Sequence, residues 1–563
     1  MMDFRKTILY FALAGLGVML WHTWQHDYPS QAMLAAQVTQ ADAQVVKHPM
    51  EYAPAANGQT ASAYQASPKA LSAALPKNKM ISVKTDVLDA KINLHGGDLV
   101  EAKLLQYPVS LKDKTHSVQI LNADNDALYV AQSGLSVPSK QTSTAIVYTA
   151  AETNYVLKNG DNTVVVTLNG TAASGIAVQK TFTFTRNNYA IQTAVQLKNN
   201  SSTLWQGNIY NQITRRDVPP TDALASRSYN GAAVSTENTP YKKLTFETLS
   251  ESDFSHDIQN GWIAMQQHYF LSAWVPPKDQ SLHYYSRSFG HGDDGKNNVF
   301  VLGYMSPSIQ LAANATQSFN STLYVGPEIA KNLEPLAKGL SLTVDYGWLW
   351  PISKFLFWLM SEIHHFVGNW GWSIILVTIL IKIAFYWFSN KSYVSMAKTR
   401  DVQPKIKALR DRHGDDKSAM SKAMMEMYRK EKINPLGGCL PMVIQIPVFI
   451  ALYYVLIESV ELRQAPFIFW IHDLALKDPF YILPVLMGLS MLLQQKLSPP
   501  PPDPAQAKMM MMLPVVFTVF FATFPAGLVL YWLTNNCASI LQQWFVMRTH
   551  STKKTKKAIR VNK

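Results

Sequence analysis

Residues 371–390 read GWSIILVTILIKIAFYWFSN and decide the fold of this 563-residue chain. The run is as long and as apolar as a helix needs to cross the roughly 30 Å hydrocarbon core of a bilayer, so it predicts a transmembrane helix. Its one cation is Lys382. A charge at the centre of such a helix costs roughly 2.5 to 3.5 kcal/mol, so intramembrane charges usually face water, a partner or a substrate path. In the alternative, called snorkelling, the long Lys382 side chain extends along the helix so that its ammonium reaches the lipid headgroups.

The composition excludes several classes of protein. The chain is 48% hydrophobic and 16% charged, and its basic groups exceed its acidic groups by 13. Its two cysteines, Cys439 and Cys537, both lie in apolar segments, which excludes a disulfide framework and argues against a cysteine metal site. The motifs GxxxxGK[ST], GxSxG and HExxH are absent from the sequence. We therefore expect no cofactor, no metal and no catalytic residues.

The N-terminal residues 1–25 predict a transmembrane anchor. Arg5 and Lys6 precede an apolar run, and Trp21 and Trp24 follow as an interfacial belt, which places the basic end inside the cell. A cleaved signal peptide is the alternative, because the apolar run is short. Residues 26–79 are rich in Ala, Gln, Ser and Pro, and predict a flexible tether on the outer side with no core of its own.

Residues 80–343 change to short alternating runs broken by Asn-Gly, Gly-Gly and Asp-Asn turns. Residues 163–168, 180–185 and 191–197 alternate or cluster β-branched side chains as half-buried strands do. Many short strands over this length predict one large antiparallel β-sandwich. We see no catalytic constellation in it and expect a scaffold or docking role, with carbohydrate or peptide binding as the alternative.

Residues 344–370 predict an amphipathic helix lying flat on the outer membrane surface. Its apolar stripe consists of Ile352, Phe355, Leu356, Leu359, Met360, Ile363 and Phe366. The alternative is an ordinary core helix of the sandwich.

Residues 391–434 are strongly basic, which fixes this segment in the cytoplasm beside the preceding span. We predict a helical hairpin that turns at residues 413–415, with Asp415 or Asp416 as the N-cap of its second helix. Two apolar stripes would join its halves: Val402, Ile406 and Leu409 on one, and Met420, Ala423, Met424, Met427 and Tyr428 on the other.

Four further apolar segments, residues 439–460, 479–497, 509–525 and 528–547, predict additional spans. A stiff proline run, residues 499–502, connects the second and third of them. The tail, residues 548–563, is basic without any acid. The chain is thus predicted to be a polytopic α-helical membrane protein with six transmembrane helices, both termini inside and the sandwich outside.

A set of polar residues within the spans falls between the midplane and the inner surface. In the last span they form one stripe at helical spacing. The set comprises Thr378, Gln445, Ser490, Gln494, Gln495, Asn535, Asn536, Ser539, Gln542 and Gln543. Each alone is typical of helix packing, but together they predict a wet cavity open to the cytoplasm and closed outside. A channel would need polar faces through the full thickness.

Three segments carry a family resemblance. They are residues 434–456 (NPLGGCLPMVIQIPVFIALYYVL), 460–488 (VELRQAPFIFWIHDLALKDPFYILPVLMG) and 524–531 (FPAGLVLY). With them, and with the same order of parts from end to end, the chain resembles the YidC insertases of Gram-negative bacteria, members of the family that also serves mitochondria and chloroplasts.

The resemblance implies an insertase and chaperone without bond chemistry, not an enzyme, in the bacterial inner membrane with a periplasmic sandwich. Residues 371–547 would form a five-helix insertase core. Its partners would be nascent membrane proteins, the ribosome and signal-recognition components, the Sec translocon and the lipid bilayer, with no small-molecule substrate. Ribosome or targeting contacts are expected at Lys405, Lys407, Arg410, Arg412, Lys553, Lys554, Lys556 and Lys557.

By the same resemblance, Lys382 occupies the position where the family typically has arginine, and it would draw a substrate's hydrophilic segment into the groove. Trp387 stands where many relatives have proline, and Trp532 where many have tyrosine. Groove or substrate-contact positions are Thr378, Gln445, Ile446, Pro447, Phe520, Phe524 and Trp532.

Two other functions remain open. A secondary transporter of a small anion would show inverted repeats, and we find no convincing repeat among the five core spans. A membrane-embedded hydrolase needs a nucleophile beside a base, and no histidine occurs in those spans.

Overall fold

The computed structural model describes residues 80–137, 145–172, 174–219, 228–289, 298–413, 416–431, 440–498 and 504–561. The predicted anchor at 1–25, the tether at 26–79, Cys439 and the proline run at 499–502 lie outside these ranges. So do the turn residues 414–415 and the side chains of Lys553, Lys554, Lys556 and Lys557.

The alternating runs of the first half form β-strands. In chain order the strands are β1 (Met80–Lys84), β2 (Leu88–Asn93), β3 (Asp98–Pro108), β4 (Ser117–Leu121), β5 (Tyr129–Ser136), β6 (Tyr148–Ala150), β7 (Asn154–Val156), β8 (Thr163–Thr171), β9 (Ile176–Thr185), β10 (Ala190–Asn199), β11 (Trp205–Arg216), β12 (Gly231–Val234), β13 (Lys242–Leu244), β14 (Ser255–Gln259), β15 (Ile263–Gln267), β16 (Phe270–Val275), β17 (Ser281–Phe289), β18 (Val299–Met305), β19 (Ile309–Leu311) and β20 (Thr316–Pro327). The three runs singled out in the sequence are β8, β9 and β10.

Two sheets make up the predicted sandwich, which is confirmed. In the part of the chain that is described, one sheet has 11 strands in the order β14-β17-β18-β11-β5-β3-β2-β1-β7, with β19 beside β11 and β4 beside β3. The other has nine, in the order β13-β12-β15-β16-β20-β10-β9-β8-β6. All pairings are antiparallel except that of β1 with β7. Burial alternates strictly along β9, so one face of each such strand fills the core between the sheets.

The sheets are also joined by polar bonds through the core. Tyr129 of β5 donates its hydroxyl to the carbonyl of Met265 in β15 at 2.6 Å. Lys180 of β9, only 2% exposed, donates to the carbonyl oxygens of Gly96 at 2.7 Å and Ser133 at 2.5 Å. These bonds satisfy polar groups that would otherwise be costly to bury.

Helices form the second half. The helices of the described residues are α1 (Phe246–Glu251), α2 (Ala330–Leu333), α3 (Trp350–Val367), α4 (Trp370–Ala384), α5 (Tyr386–Asp401), α6 (Gln403–His413), α7 (Lys417–Lys430), α8 (Leu440–Glu458), α9 (Ile482–Leu497), α10 (Pro504–Phe521) and α11 (Ala526–Val561). The first two belong to the sandwich, and α3 to α11 make up the helical region.

The predicted surface helix is α3, and its apolar stripe divides into two faces. Leu356 and Met360 are buried in the core of the helical region, not in that of the sandwich. Phe355 and Phe366 are 56% and 84% exposed. The reason is that α3 already packs one face on α8, where Ser353 donates to the carbonyl of Ala451 at 3.1 Å. The face of α3 that points away from α8 stays exposed and carries the aromatic residues Phe355 and Phe366.

The prediction of one helix over residues 371–390 is wrong. Helices α4 and α5 meet at Phe385 with a bend of 68°. No Gly or Pro stands at the bend, but the Gln542 side chain of α11 donates to the carbonyl of Tyr386 at 3.2 Å. A side chain that engages the backbone in this way is one of the usual accompaniments of a helix kink.

Among the described helices, no single one is long and apolar enough to cross a membrane, whereas α4 and α5 together satisfy the length and composition that a span requires.

The apolar core of the helical region lies at the end nearest the sandwich. Here Ile374 of α4, Val455 of α8 and Leu528 of α11 are 1% exposed or less. The end of α8 contacts the sandwich, where Ser228 donates to a carboxylate oxygen of Glu458 at 3.0 Å. Lys382, Gln445 and Asn535 lie further along these helices.

Candidate functional site: a polar pocket around Lys382

A pocket opens between α4, α5, α8 and α11, beyond the apolar core. About 390 Å³ of space not filled by atoms, including space open to solvent, lies among its lining residues, which are Ile381, Lys382, Phe385, Phe388, Ser389, Gln445, Val448, Tyr531 and Asn535. Measured along the helices from the sandwich end, Lys382, Gln445 and Asn535 lie about 14 to 20 Å away, at a rise of 1.5 Å per residue. Three segments that are distant in the sequence thus each contribute a polar residue to the same pocket.

The ammonium of Lys382 is held by α11. Its Nζ donates to Ser539 Oγ at 2.8 Å, and Ser539 Oγ donates to the backbone carbonyl of Asn535 at 2.7 Å. Ser539 is 3% exposed and Asn535 is 5% exposed. Among the described residues, no carboxylate pairs with Lys382. The pocket therefore carries a positive charge that an acidic or polar ligand could approach.

Gln445 adds an unused donor to the pocket. Its Nε2 is buried, lies beside the Tyr531 hydroxyl and has no hydrogen-bond partner of good geometry within the described part of the chain. A buried donor without a partner is costly, and such groups in native proteins call for an explanation such as a bound water or a ligand. Gln445 can therefore serve the same polar ligand as Lys382.

The predicted polar stripe of α11 divides between two neighbours. Asn535 lines the pocket and Ser539 accepts from Lys382 of α4, whereas Asn536 Nδ2 donates to Ser490 Oγ of α9 at 2.9 Å. Gln543 likewise turns to α9, where it donates to Ser498 Oγ at 3.3 Å. At about 100° per residue, positions 535 and 536 point to different sides of a helix, while 535 and 539 share one.

Three other predicted groove residues lie apart from the lining. Thr378 is 1% exposed and donates to the carbonyl of Ile374, one turn earlier in α4, at 2.6 Å. Ser490 donates to the carbonyl of Met487 at 2.5 Å, so it is engaged within α9 as well as by Asn536. Gln494 also belongs to α9, whose residues are not among those lining the pocket.

Aromatic side chains fill the space between α8, α10 and α11 next to the pocket. The rings of Trp532 and Phe449 lie 4.8 Å apart, and those of Phe520 and Phe524 also lie 4.8 Å apart. Phe521 joins the two pairs, at 5.1 Å from both Trp532 and Phe524. Three predicted substrate-contact residues thus belong to one cluster.

The predicted contacts Ile446 and Pro447 lie on α8, three and two residues before Phe449. Ile446 is 50% exposed, and Phe520 across the cluster is 54% exposed. Pro447 stands inside α8, where its ring cannot donate a backbone hydrogen bond. An apolar surface therefore borders the polar pocket.

Sequence reasoning missed part of the pocket on α5 and α11. Phe388, Ser389 and Tyr531 line it, and Tyr393 lies beside Ser539. Ser389 and Tyr393 are 5% and 4% exposed. Their spacing of four residues on one helix face was a signal that could have found them.

The basic hairpin forms a separate surface. Helices α6 and α7 pack through Val402, Ile406 and Tyr428, with Met424 and Met427 against them. Asp416 caps α7 by accepting from the backbone N–H of Ser418 at 3.0 Å. Lys405 pairs with Glu431, whereas Lys407, Arg410 and Arg412 are exposed and have no acidic partner among the described residues.

Comparison with known proteins covers the whole chain. Residues 80–359 match the family described as YidC periplasmic domain, and residues 362–554 match the one described as 60Kd inner membrane protein. The chain is 55% identical over 568 residues to "Membrane protein insertase YidC" of Coxiella burnetii (strain Dugway 5J108-111), covering 100% of both chains. It is 46% identical to the protein of that name from Legionella pneumophila (strain Paris), covering 99% of both.

A similar solved structure is "Active YidC insertase crystal structure with the first transmembrane domain resolved". It is 16% identical to this chain, with a TM-score of 0.38, and the similarity covers 82% of this chain and 92% of that one.

Proposed function

This chain belongs to the YidC family, and from that premise we propose that it inserts nascent proteins into the bacterial inner membrane and assists their folding. The relatives that share its full length are named membrane protein insertases. The observation that carries the proposal is Lys382, whose ammonium lies in a polar pocket beside Asn535 and next to an exposed apolar surface. Insertion needs no bond chemistry, so the protein is not an enzyme.

The proposed topology has six spans, with both termini in the cytoplasm and the sandwich in the periplasm. The basic residues of 391–434 and of the tail support it, because cytoplasmic segments carry an excess of Lys and Arg. Exposed apolar side chains support it too. Ile383 is 64% exposed, Leu489 56% and Val519 70%, on three different helices. Surfaces of this kind mark contact with lipid or with another protein.

In the proposed mechanism, the pocket holds the hydrophilic end of the substrate while its apolar helix enters the bilayer. Lys382 attracts an acidic or polar segment, and Gln445 supplies a further donor. The pocket thereby lowers the cost of bringing polar groups partway across, which in pure hydrocarbon amounts to several kcal/mol per unsatisfied group.

The apolar part of the substrate would slide along Ile446, Pro447, Phe520, Phe524 and Trp532. This surface borders the pocket. A substrate could therefore keep its polar end near Lys382 while its apolar segment contacts lipid. Burial of about twenty apolar residues then drives release, at roughly 25 cal/mol for each Å² removed from water. No nucleotide site is required.

Ribosomes and signal-recognition components are the proposed cytoplasmic partners. The unpaired cations of the hairpin support electrostatic docking to ribosomal RNA, with the tail as a second basic segment. Cooperation with the Sec translocon is proposed from the family resemblance alone.

Insertion into reconstituted vesicles tests the function. The substrate is a single-span protein with a short acidic N-terminal segment, and the variants are Lys382→Ala, Lys382→Glu and Lys382→Arg. We expect strong loss with Ala, stronger loss with Glu and retention with Arg. Lys391→Ala is the matched control, because Lys391 lies over the Trp387 ring, with Nζ 3.5 Å from its centroid, and is not part of the pocket lining. Full activity of both the Ala and Glu variants would contradict the role of the cation. Uptake of a labelled small anion in place of insertion would favour a transporter.

A further inference from the structure

Ser539 uses its donor and one of its acceptor lone pairs around the groove cation. A serine hydroxyl has one donor and two acceptor lone pairs. The donor goes to the Asn535 carbonyl at 2.7 Å, and one lone pair accepts from Lys382 Nζ at 2.8 Å. The hydroxyl of Tyr393 lies beside Ser539 as well. The proton on Ser539 is therefore committed to the backbone, and its oxygen faces Lys382 as an acceptor.

A lysine in this position needs such a partner. Its ammonium is a point charge on a flexible four-carbon stem, and holding it in one place costs rotamer entropy. Tyr393 of α5 and Ser539 of α11 are both at most 4% exposed, so the acceptor is fixed by helix packing and not by solvent.

We propose that Ser539, held in turn by the Asn535 carbonyl, is a positioning residue that fixes the Lys382 ammonium at the pocket wall and leaves its other two N–H groups for the substrate. The inference deepens the proposed function and depends on it. In the described part of the chain, Ser539 is the side chain to which Lys382 donates. The free donors of the ammonium and the unpaired Nε2 of Gln445 line the same pocket.

A double-mutant cycle in the full-length protein tests the proposal. Ser539→Ala, Lys382→Ala and the double variant are reconstituted, and the initial rate of insertion of an acidic single-span substrate is measured. A hydrogen bond to a charged group is worth about 1.5 to 3 kcal/mol, which corresponds to a loss of about tenfold or more for Ser539→Ala. We expect the double variant to be no slower than Lys382→Ala, because Ser539 acts through the lysine.

Conservative variants separate positioning from support of the fold. Ser539→Thr keeps the hydroxyl and should restore most of the rate, and Tyr393→Phe should lower it by a smaller factor. Ser373→Ala is the matched control, since Ser373 is a buried serine of α4 that donates to the carbonyl of Asn369 at 3.0 Å, far from the pocket. Thermal unfolding of each variant reports its stability. If Ser539→Ala does not fold, Tyr393→Phe takes its place in the double-mutant cycle.

Independent, multiplicative losses from Ser539→Ala and Lys382→Ala would overturn the positioning role while leaving the proposed function intact. A full insertion rate for Lys382→Ala would overturn both the positioning role and the proposed function. The rate of that single variant therefore distinguishes failure of the function from failure of the positioning role alone.

Discussion

Arg463 Nη2 donates to the carbonyl oxygen of Pro108 at 2.8 Å, which ties the segment after α8 to the end of strand β3. The same nitrogen reaches the carbonyl of Val109 at 3.1 Å, and Gln464 Nε2 donates to Pro108 at 3.1 Å. The guanidinium also lies over the ring of Phe270, 5.8 Å from its centroid. The sandwich is therefore docked on the helical region through backbone carbonyls that accept from the Arg463 guanidinium and the Gln464 amide.

Replacing Arg463 with alanine should loosen this docking. Loss of charge-assisted bonds worth about 1.5 to 3 kcal/mol each should raise hydrogen–deuterium exchange in residues 105–109 and 459–464, and leave strands β8 to β10 unchanged. Arg463→Lys is the control that keeps the charge without the fork, and should give an intermediate effect. Unchanged exchange in Arg463→Ala would show that other contacts hold the two parts together.

The second prediction concerns pH and Glu328. Burial raises the pKa of this carboxyl well above its usual value of 4.5, and the nearby carboxylates of Glu458 and Asp345 act in the same direction. Gln266 Nε2, at 3.0 Å, and Lys243 oppose the shift. Since the folded state holds this proton more tightly than the unfolded state, its stabilising contribution is complete below about pH 4.5 and is lost as the pH rises toward the raised pKa.

Glu328→Gln mimics the protonated acid and should remove this dependence. As the pH rises from 5 to 8, the midpoint temperature of thermal unfolding of the full-length protein should decrease. This decrease should be smaller in the variant than in the parent protein. Glu334→Gln, at an exposed position, is the control. An equal fall in the parent protein and in Glu328→Gln would rule out Glu328 as the source.

The third prediction tests the contact between α9 and α10. A Cβ added at Gly488 would lie 2.0 Å from Thr518 Oγ1, which is itself bonded to the Pro514 carbonyl at 2.7 Å. Alanine favours helix by about 1 kcal/mol over glycine, but overpacking costs about 1 to 3 kcal/mol, so Gly488→Ala should destabilise the protein.

The companion change Thr518→Ala removes the clashing oxygen and leaves a Cβ at 3.3 Å. The double variant should therefore unfold at a higher temperature than Gly488→Ala alone. A single Gly488→Ala protein as stable as the parent would mean that α9 and α10 are less closely packed than described.

The fourth prediction concerns the hairpin cations. Because Lys405 is paired with Glu431, its replacement by alanine should affect ribosome binding less than joint replacement of Lys407, Arg410 and Arg412. Each phosphate that the variant no longer neutralises should reduce the slope of log affinity against log salt by about 0.7 to 0.9. Sedimentation with empty ribosomes at several salt concentrations measures that slope. Binding that does not respond to salt would exclude docking through these charges.

Much of this fold follows from local sequence patterns. Strand β9 alternates in the sequence as it does in the sandwich, and α8 and α9 match apolar runs within a few residues. Lys382 stands out as the one charge in its run, and residue type alone is enough to identify it. These signals depend on neighbours along the chain, which a sequence displays directly.

The bend at Phe385 and the partner of Lys382 depend on contacts between distant segments. No Gly or Pro marks the bend, and Ser539 is 157 residues from the lysine that it holds. The division of the α11 polar residues could have been worked out from helical spacing, but the identity of the two neighbouring helices could not. Buried Lys180, bonded to carbonyls of other strands, also depends on the tertiary packing.

The fifth and most direct test asks from which side of the membrane the pocket is reached. Gln445→Cys is prepared in a background where Cys439 and Cys537 are alanine, and a membrane-impermeant maleimide is applied to inside-out and right-side-out vesicles. Ser373→Cys, buried near the sandwich end, is the control and should stay unlabelled in both. We predict labelling of Gln445→Cys in inside-out vesicles only. Labelling from both sides, or from neither, would contradict a water-filled pocket around Lys382 that opens to the cytoplasm alone.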